Sequence, residues 1–95
     1  MKILITLAGF NTKLSKLKKK NLYSEDEFKK DFELFLTDEK NKKFRKHKIT
    51  RWKQDTVFSI TLKPDLRALY FFIRKKDDST IEYVFFDIGS HDDVY

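Results

Sequence analysis

The sequence predicts an α+β fold: an N-terminal strand and a helical hairpin packed on a mainly antiparallel four-stranded sheet, in the order β-α-α-β-β-β. Three observations carry that expectation. A capping box opens a run of phenylalanines at helical spacing, which defines the second helix of the hairpin. Beyond Gln54 the apolar period changes from helical to two, the mark of strands. Finally, 95 residues, 40% hydrophobic and including ten Phe, fill one core and not two, so residues 1–95 read as a single domain.

The first strand is Lys2–Leu7, which holds Ile3, Leu4, Ile5 and Leu7 and is broken by Gly9. Asn11 is expected to cap a short helix whose Phe10, Leu14 and Leu17 share a face. Its lysines, Lys13, Lys16 and Lys18 to Lys20, face water, and Asn21 and Leu22 close it. Ser24 and Glu27 form the capping box of the second helix, with Tyr23 and Phe28 as its hydrophobic staple. Phe28, Phe32, Phe35 and Leu36 make one buried stripe, and the helix is expected to end near Lys40. The stripe should meet the sheet at Leu69, Phe71 and Val84 or their strand neighbours.

Three strands follow. Thr56–Leu62 alternates, with Phe58, Ile60 and Leu62 on one face. Leu66–Ile73 is almost wholly apolar, as a central strand covered on both faces should be. Thr80–Ile88 is joined to it by the turn Lys75–Ser79, and Pro64, which cannot donate to a ladder, belongs in the preceding connection.

Composition removes several classes of function. The absence of cysteine excludes disulfide scaffolds, zinc–thiolate sites and cysteine nucleophiles, and suits a reducing cytoplasm. The most apolar stretches, Met1–Leu7 and Leu69–Ile73, fall far short of the roughly 20 residues that span a bilayer. No small-residue cleavage site follows the N-terminal stretch, so neither a membrane anchor nor a secretory signal is expected. Gly9 and Gly89 are isolated, which leaves no phosphate-binding glycine loop. Ser90-His91-Asp92 has the letters of a hydrolase triad, but consecutive residues on extended chain point to alternate sides.

Charge says more. The chain carries +6, and between Lys40 and Gln54 stand eight cations with no acid: Lys40, Lys42, Lys43, Arg45, Lys46, Lys48, Arg51 and Lys53. Everything else sums to −2 (6 minus 8). A segregated positive segment makes a directional field that attracts polyanions. Beside it, Asp65 and Arg67 lead into one strand, and His91 lies just past the end of another, where Gly89 lets the chain bend.

Lys63-Pro64-Asp65-Leu66-Arg67-Ala68-Leu69-Tyr70, followed after a hairpin by Asp87-Ile88-Gly89-Ser90-His91-Asp92-Asp93-Val94-Tyr95, resembles the C-terminal half of the RelE/ParE toxin superfamily. It is most similar to the YafQ-like branch of bacterial type II toxins. The shared features are a strand entered through Pro-Asp, a strand ending in Ile-Gly-Ser-His, and an aromatic residue four positions after that histidine. Specific residues carry the likeness only in the last third or so of the chain.

The resemblance implies a cytoplasmic endoribonuclease that cuts mRNA in the ribosomal A site and is held inactive by a cognate antitoxin. Its partners would be that antitoxin, the ribosome with its rRNA, and mRNA, with no membrane, cofactor or metal. In such enzymes the 2′-hydroxyl attacks the adjacent phosphate and the 5′-oxygen leaves. His91 would serve as general acid and Asp65 would accept the 2′-hydroxyl proton. Arg67, expected on the same sheet face as Asp65, would grip the phosphate, and Tyr95 would orient a base. Lys46, His47, Lys48, Arg51, Trp52 and Lys53 would contact RNA and its phosphates. One departure stands out: a family histidine four residues before the aspartate is Thr61 here. The alternatives are a ParE-type protein that inhibits gyrase without cutting RNA, and a weakened or inactive member of the same fold.

Overall fold

A computed structural model describes residues 1–49, 56–76 and 79–90. Its elements are β1 (Lys2–Thr6), α1 (Ala8–Lys19), α2 (Glu25–Thr37), β2 (His47–Ile49), β3 (Val57–Lys63), β4 (Leu66–Arg74) and β5 (Ile81–Gly89). A 3₁₀ turn, Lys42–Phe44, stands between α2 and β2. The strands form a five-stranded sheet in the order β1-β5-β4-β3-β2. Among the described residues only β1–β5 is parallel, and the other three pairings are antiparallel.

The fifth strand corrects the expected four. β2 lies inside the basic segment and pairs its three residues with Val57–Ser59. Ile49 is its only buried residue, so three residues amid lysines leave no period for a sequence reading to detect.

Local chemistry sets the helix ends. Ser24 accepts a hydrogen bond from the Glu27 backbone N–H at 3.2 Å, the N-cap half of the box, and Tyr23 and Phe28 are both buried. Asn11 is not a cap. α1 already starts at Ala8, and the Asn11 side chain donates back to the Thr6 carbonyl. At the other end Asn21 takes a left-handed φ of 56°, while the Asn21 and Leu22 N–H groups reach the Lys18 and Leu17 carbonyls. That is a Schellman closure with asparagine in the place glycine usually holds. α2 stops at Thr37, short of Lys40, where the Thr37 hydroxyl donates to the Leu34 carbonyl.

Both helices cover one face of the sheet. Phe10 and Leu14 of α1 join Phe28, Phe32 and Phe35 of α2 over Tyr70, Tyr83, Phe85 and Ile88. The stripe therefore meets the strand neighbours of Leu69, Phe71 and Val84, not those residues themselves. Leu69 instead forms a second cluster with Ile49, Val57 and Phe86 on the opposite face. Because β4 is apolar on both sides, its sequence does not say which side the helices take. Pairing passes from Leu69–Asp87 to Tyr70–Phe85, so Phe86 is an extra residue on β5. This bulge lets both Phe85 and Ile88 reach the helical side.

Three phenols are sunk in this core. Burial pushes Tyr83 up to about 12, with its hydrogen bond to Glu39 adding to the effect. Burial also raises Tyr23 and Tyr70 well above the ordinary 10.0. Unfolded tyrosines ionise near pH 10, while the folded ones keep their protons. Their contribution to stability is thus complete below about pH 10 and lost as pH rises through the folded values. Urea midpoints at about pH 8 and about pH 11 should differ, the alkaline one being lower; equal midpoints would contradict this.

Candidate functional site

The pairing register builds the first part of the site. Thr61 lies across from Arg67, and Arg67 across from Gly89, the last residue of β5. This row stands two residues from Leu69 of the second cluster, so its side chains occupy the face opposite the helices. The Arg67 guanidinium folds back over the β3–β4 turn, with Nη1 donating to the Pro64 carbonyl at 3.0 Å and the Lys63 carbonyl at 3.4 Å. Those bonds hold a planar, five-donor cation at the strand end, a group suited to two phosphate oxygens at once.

Asp65 sits in that turn and is exposed. Strand alternation therefore does not govern its direction, and the expectation that it shares Arg67's face through a two-residue spacing does not apply. The ion pairs among the described residues do not join Asp65 to Arg67.

The basic segment supplies the second part. Asn41 caps its 3₁₀ turn by accepting from the Lys43 N–H, and Arg45 takes a left-handed φ of 44° that turns the chain into β2. Lys46 does not extend into solvent as expected of a phosphate contact. Its ammonium lies 3.1 Å from Glu39 Oε1 and 4.8 Å from the centre of the Phe58 ring. Glu39 Oε2 accepts from the Tyr83 hydroxyl at 3.0 Å, with Lys2 3.8 Å away. Lys46 is thus a half-buried anchor that ties the edge strand to α2 and the core.

His47 and Lys48 are both exposed but point to opposite sides. His47 pairs with Ser59 on the face of Arg67, and Lys48 with Phe58 on the helical face. His47 Nδ1 is 3.1 Å from the Arg45 carbonyl. A carbonyl only accepts, so in this contact the proton rests on Nδ1. A cleft of about 400 Å³ beside β2 is lined by Glu39, Asn41, Lys46, Lys48 and Phe58, with His47 at its border. Among the described residues, no three His, Cys, Asp or Glu side chains gather where they could hold a metal ion.

No protein-family model matches the chain, and no curated protein matches it by sequence. Solved structures do. A copper-bound mutant toxin from Helicobacter pylori is 22% identical with a TM-score of 0.71, covering 100% of both chains. YafQ from E. coli is 17% identical with a TM-score of 0.64, over 100% of this chain and 99% of that one. A chain of the E. coli DinJ–YafQ complex gives 17% and 0.66 over the same shares. The chain has the RelE/YafQ-like toxin fold.

Within this toxin fold, the described site residues divide into three groups, and five others lie outside them. Arg67 and His47 stand on the face opposite the helices, while Lys46 and Lys48 belong to the helical side of the edge strand. Asp65 lies in the turn. His91, Tyr95, Arg51, Trp52 and Lys53 lie outside the described residues. Sequence reasoning missed Glu39, whose carboxylate holds Lys46, Tyr83 and Lys2 together. Its one signal was weak: an acid placed directly before a run of cations. Among the described residues no helix is long and apolar enough to cross a membrane.

Proposed function

We propose that this chain is the toxin of a toxin–antitoxin pair and acts in the cytoplasm as a ribosome-dependent endoribonuclease on mRNA. One observation supports this most: Arg67, tethered at the strand end, stands opposite Gly89, two residues before His91 in the sequence. A phosphate on Arg67 is therefore close along the chain to an imidazole that can donate a proton near neutral pH. His91 acts as general acid toward the 5′-oxygen, Asp65 takes the 2′-hydroxyl proton, and Arg67 neutralises charge building on phosphorus. Tyr95 orients a base. Lys48, Arg51 and Lys53 hold backbone phosphates with His47 and Trp52 beside them, and Lys46 keeps that strand in place.

The proposed partner is a cognate antitoxin, as the DinJ–YafQ complexes are pairs of this kind. Thr61 favours one second reading, a member of weakened activity. The residue facing Arg67 across the ladder cannot titrate where the family carries a histidine. Induced expression with mapping of mRNA ends tests the proposal. Cuts within translated codons support it; intact mRNA alongside growth arrest rejects the nuclease, and a gyrase supercoiling assay then reads the ParE-type alternative.

A further inference from the structure

A second basic surface lies away from the Lys40–Lys53 segment. The first 24 residues carry six lysines and no acid, which the net −2 outside the basic segment conceals. Five of the six fall on the last two turns of α1 and its cap. Lys13 is paired with Asp87, and Lys2 lies beside Glu39. Lys16, Lys18, Lys19 and Lys20 are exposed, and none takes part in the ion pairs among the described residues.

Topology brings two of these lysines, Lys16 and Lys20, to one cleft beside the paired Lys13. β1 ends at Thr6 beside Phe85, so the last residues of β5 run on past their parallel partner. α1 packs over that overhang, and between them lies a cleft of about 290 Å³. Lys13, Lys16, Leu17 and Lys20 form one wall, and Ile88 and Gly89 the other. Lys13, Lys16 and Lys20 are spaced i, i+3, i+7, one stripe of the helix rising about 4.5 and then about 6 Å. Gly89, at the end of the cleft, is the residue paired with Arg67.

We propose that this cleft binds the sugar–phosphate backbone of RNA, extending the contact of a strand held at Arg67 around the end of β5. The inference rests on the ribonuclease reading above. A nucleic-acid backbone fits better than an acidic protein segment for two reasons. Lys16 and Lys20, one helical turn apart on the stripe and outside the ion pairs, present two charges to a chain that carries one on every nucleotide, and the cleft adjoins the position where a phosphate is already required.

Lys16→Gln with Lys20→Gln removes two of the charges and keeps helix propensity. Lys29→Gln with Lys30→Gln makes the same charge change on the outer surface of α2 as a control. Binding is measured across 50–200 mM salt, with a short single-stranded RNA of mixed sequence in one arm and mRNA-programmed ribosomes in the other. The Lys16/Lys20 pair should flatten the log–log salt slope by about two, and the control pair should leave it near wild type. Flattening in both arms assigns the cleft to the mRNA strand, and flattening only with ribosomes assigns it to ribosomal RNA. An unchanged slope in both arms overturns the inference while leaving the nuclease reading intact. So does weakened antitoxin binding with RNA binding retained, or an equal effect from the control pair. A wild-type chain that binds neither probe overturns both readings.

Discussion

Phe35→Ala is expected to destabilise the protein by about 3–5 kcal/mol, the range for a fully buried phenylalanine whose cavity cannot collapse. Phe35 is 0% exposed and sits where three parts of the structure meet. Its ring contacts Phe44 of the 3₁₀ turn edge to face at 5.4 Å, Tyr70 of β4 at 5.6 Å and Tyr83 of β5 at 6.2 Å. Aromatic pairs in this geometry add to the area they bury, so truncation costs packing on every side. Collapse is resisted because Lys46, paired with Glu39, lies over both the Phe35 and Phe58 rings, at 5.9 and 4.8 Å. Leu34→Ala, one residue earlier and 41% exposed, should change stability by no more than about 0.5 kcal/mol. Equal urea midpoints for the two variants would remove Phe35 from its place as the junction of helix, turn and sheet.

The same region explains what a sequence can and cannot disclose. Ser24, Glu27, Tyr23 and Phe28 were legible because a capping box with its staple is a local device, complete within six residues. The Phe28–Phe32–Phe35 stripe was legible because its period is a property of one helix. Which side of β4 it covers was not, since Leu69 and Tyr70 are equally apolar and only the sheet's neighbours decide between them. Asp65 was assigned a face by strand alternation, and the assignment lapsed because Pro64 and Asp65 form the turn between strands. Lys46 read as one more cation in a run of eight. Its role depends on Glu39, seven residues away, and Tyr83, on another strand, neither of which a charge count connects to it. Likewise, summing the charge outside the basic segment hid the lysines of α1 behind the acids at the start of α2.

His91→Ala should abolish growth arrest and lower the mRNA cleavage rate by roughly 10²–10⁴-fold, the usual worth of a positioned general acid. The expectation follows from the proposed chemistry: the 5′-oxygen is a poor leaving group unless a proton reaches it as the bond to phosphorus breaks. His91 is the only histidine within the C-terminal half, and His47, on β2, has its Nδ1 engaged with the Arg45 carbonyl. Arg67→Lys separates grip from charge. Lysine keeps the positive charge but loses the fork that can span two phosphate oxygens and reach the Pro64 carbonyl together. It should therefore slow cleavage while leaving fold and antitoxin binding unchanged. Asp65→Asn should be as inactive as His91→Ala if the carboxylate is the base. An effect of only a few fold would leave the 2′-hydroxyl proton to another acceptor. Each variant is read twice, by mapped mRNA ends and by the urea midpoint, so that a folding defect is not taken for a chemical one. Cutting by His91→Ala at the wild-type rate removes the acid from the mechanism. Cutting abolished by His91→Ala but untouched by Arg67→Lys would keep the acid and move the phosphate contact away from the β4–β5 row.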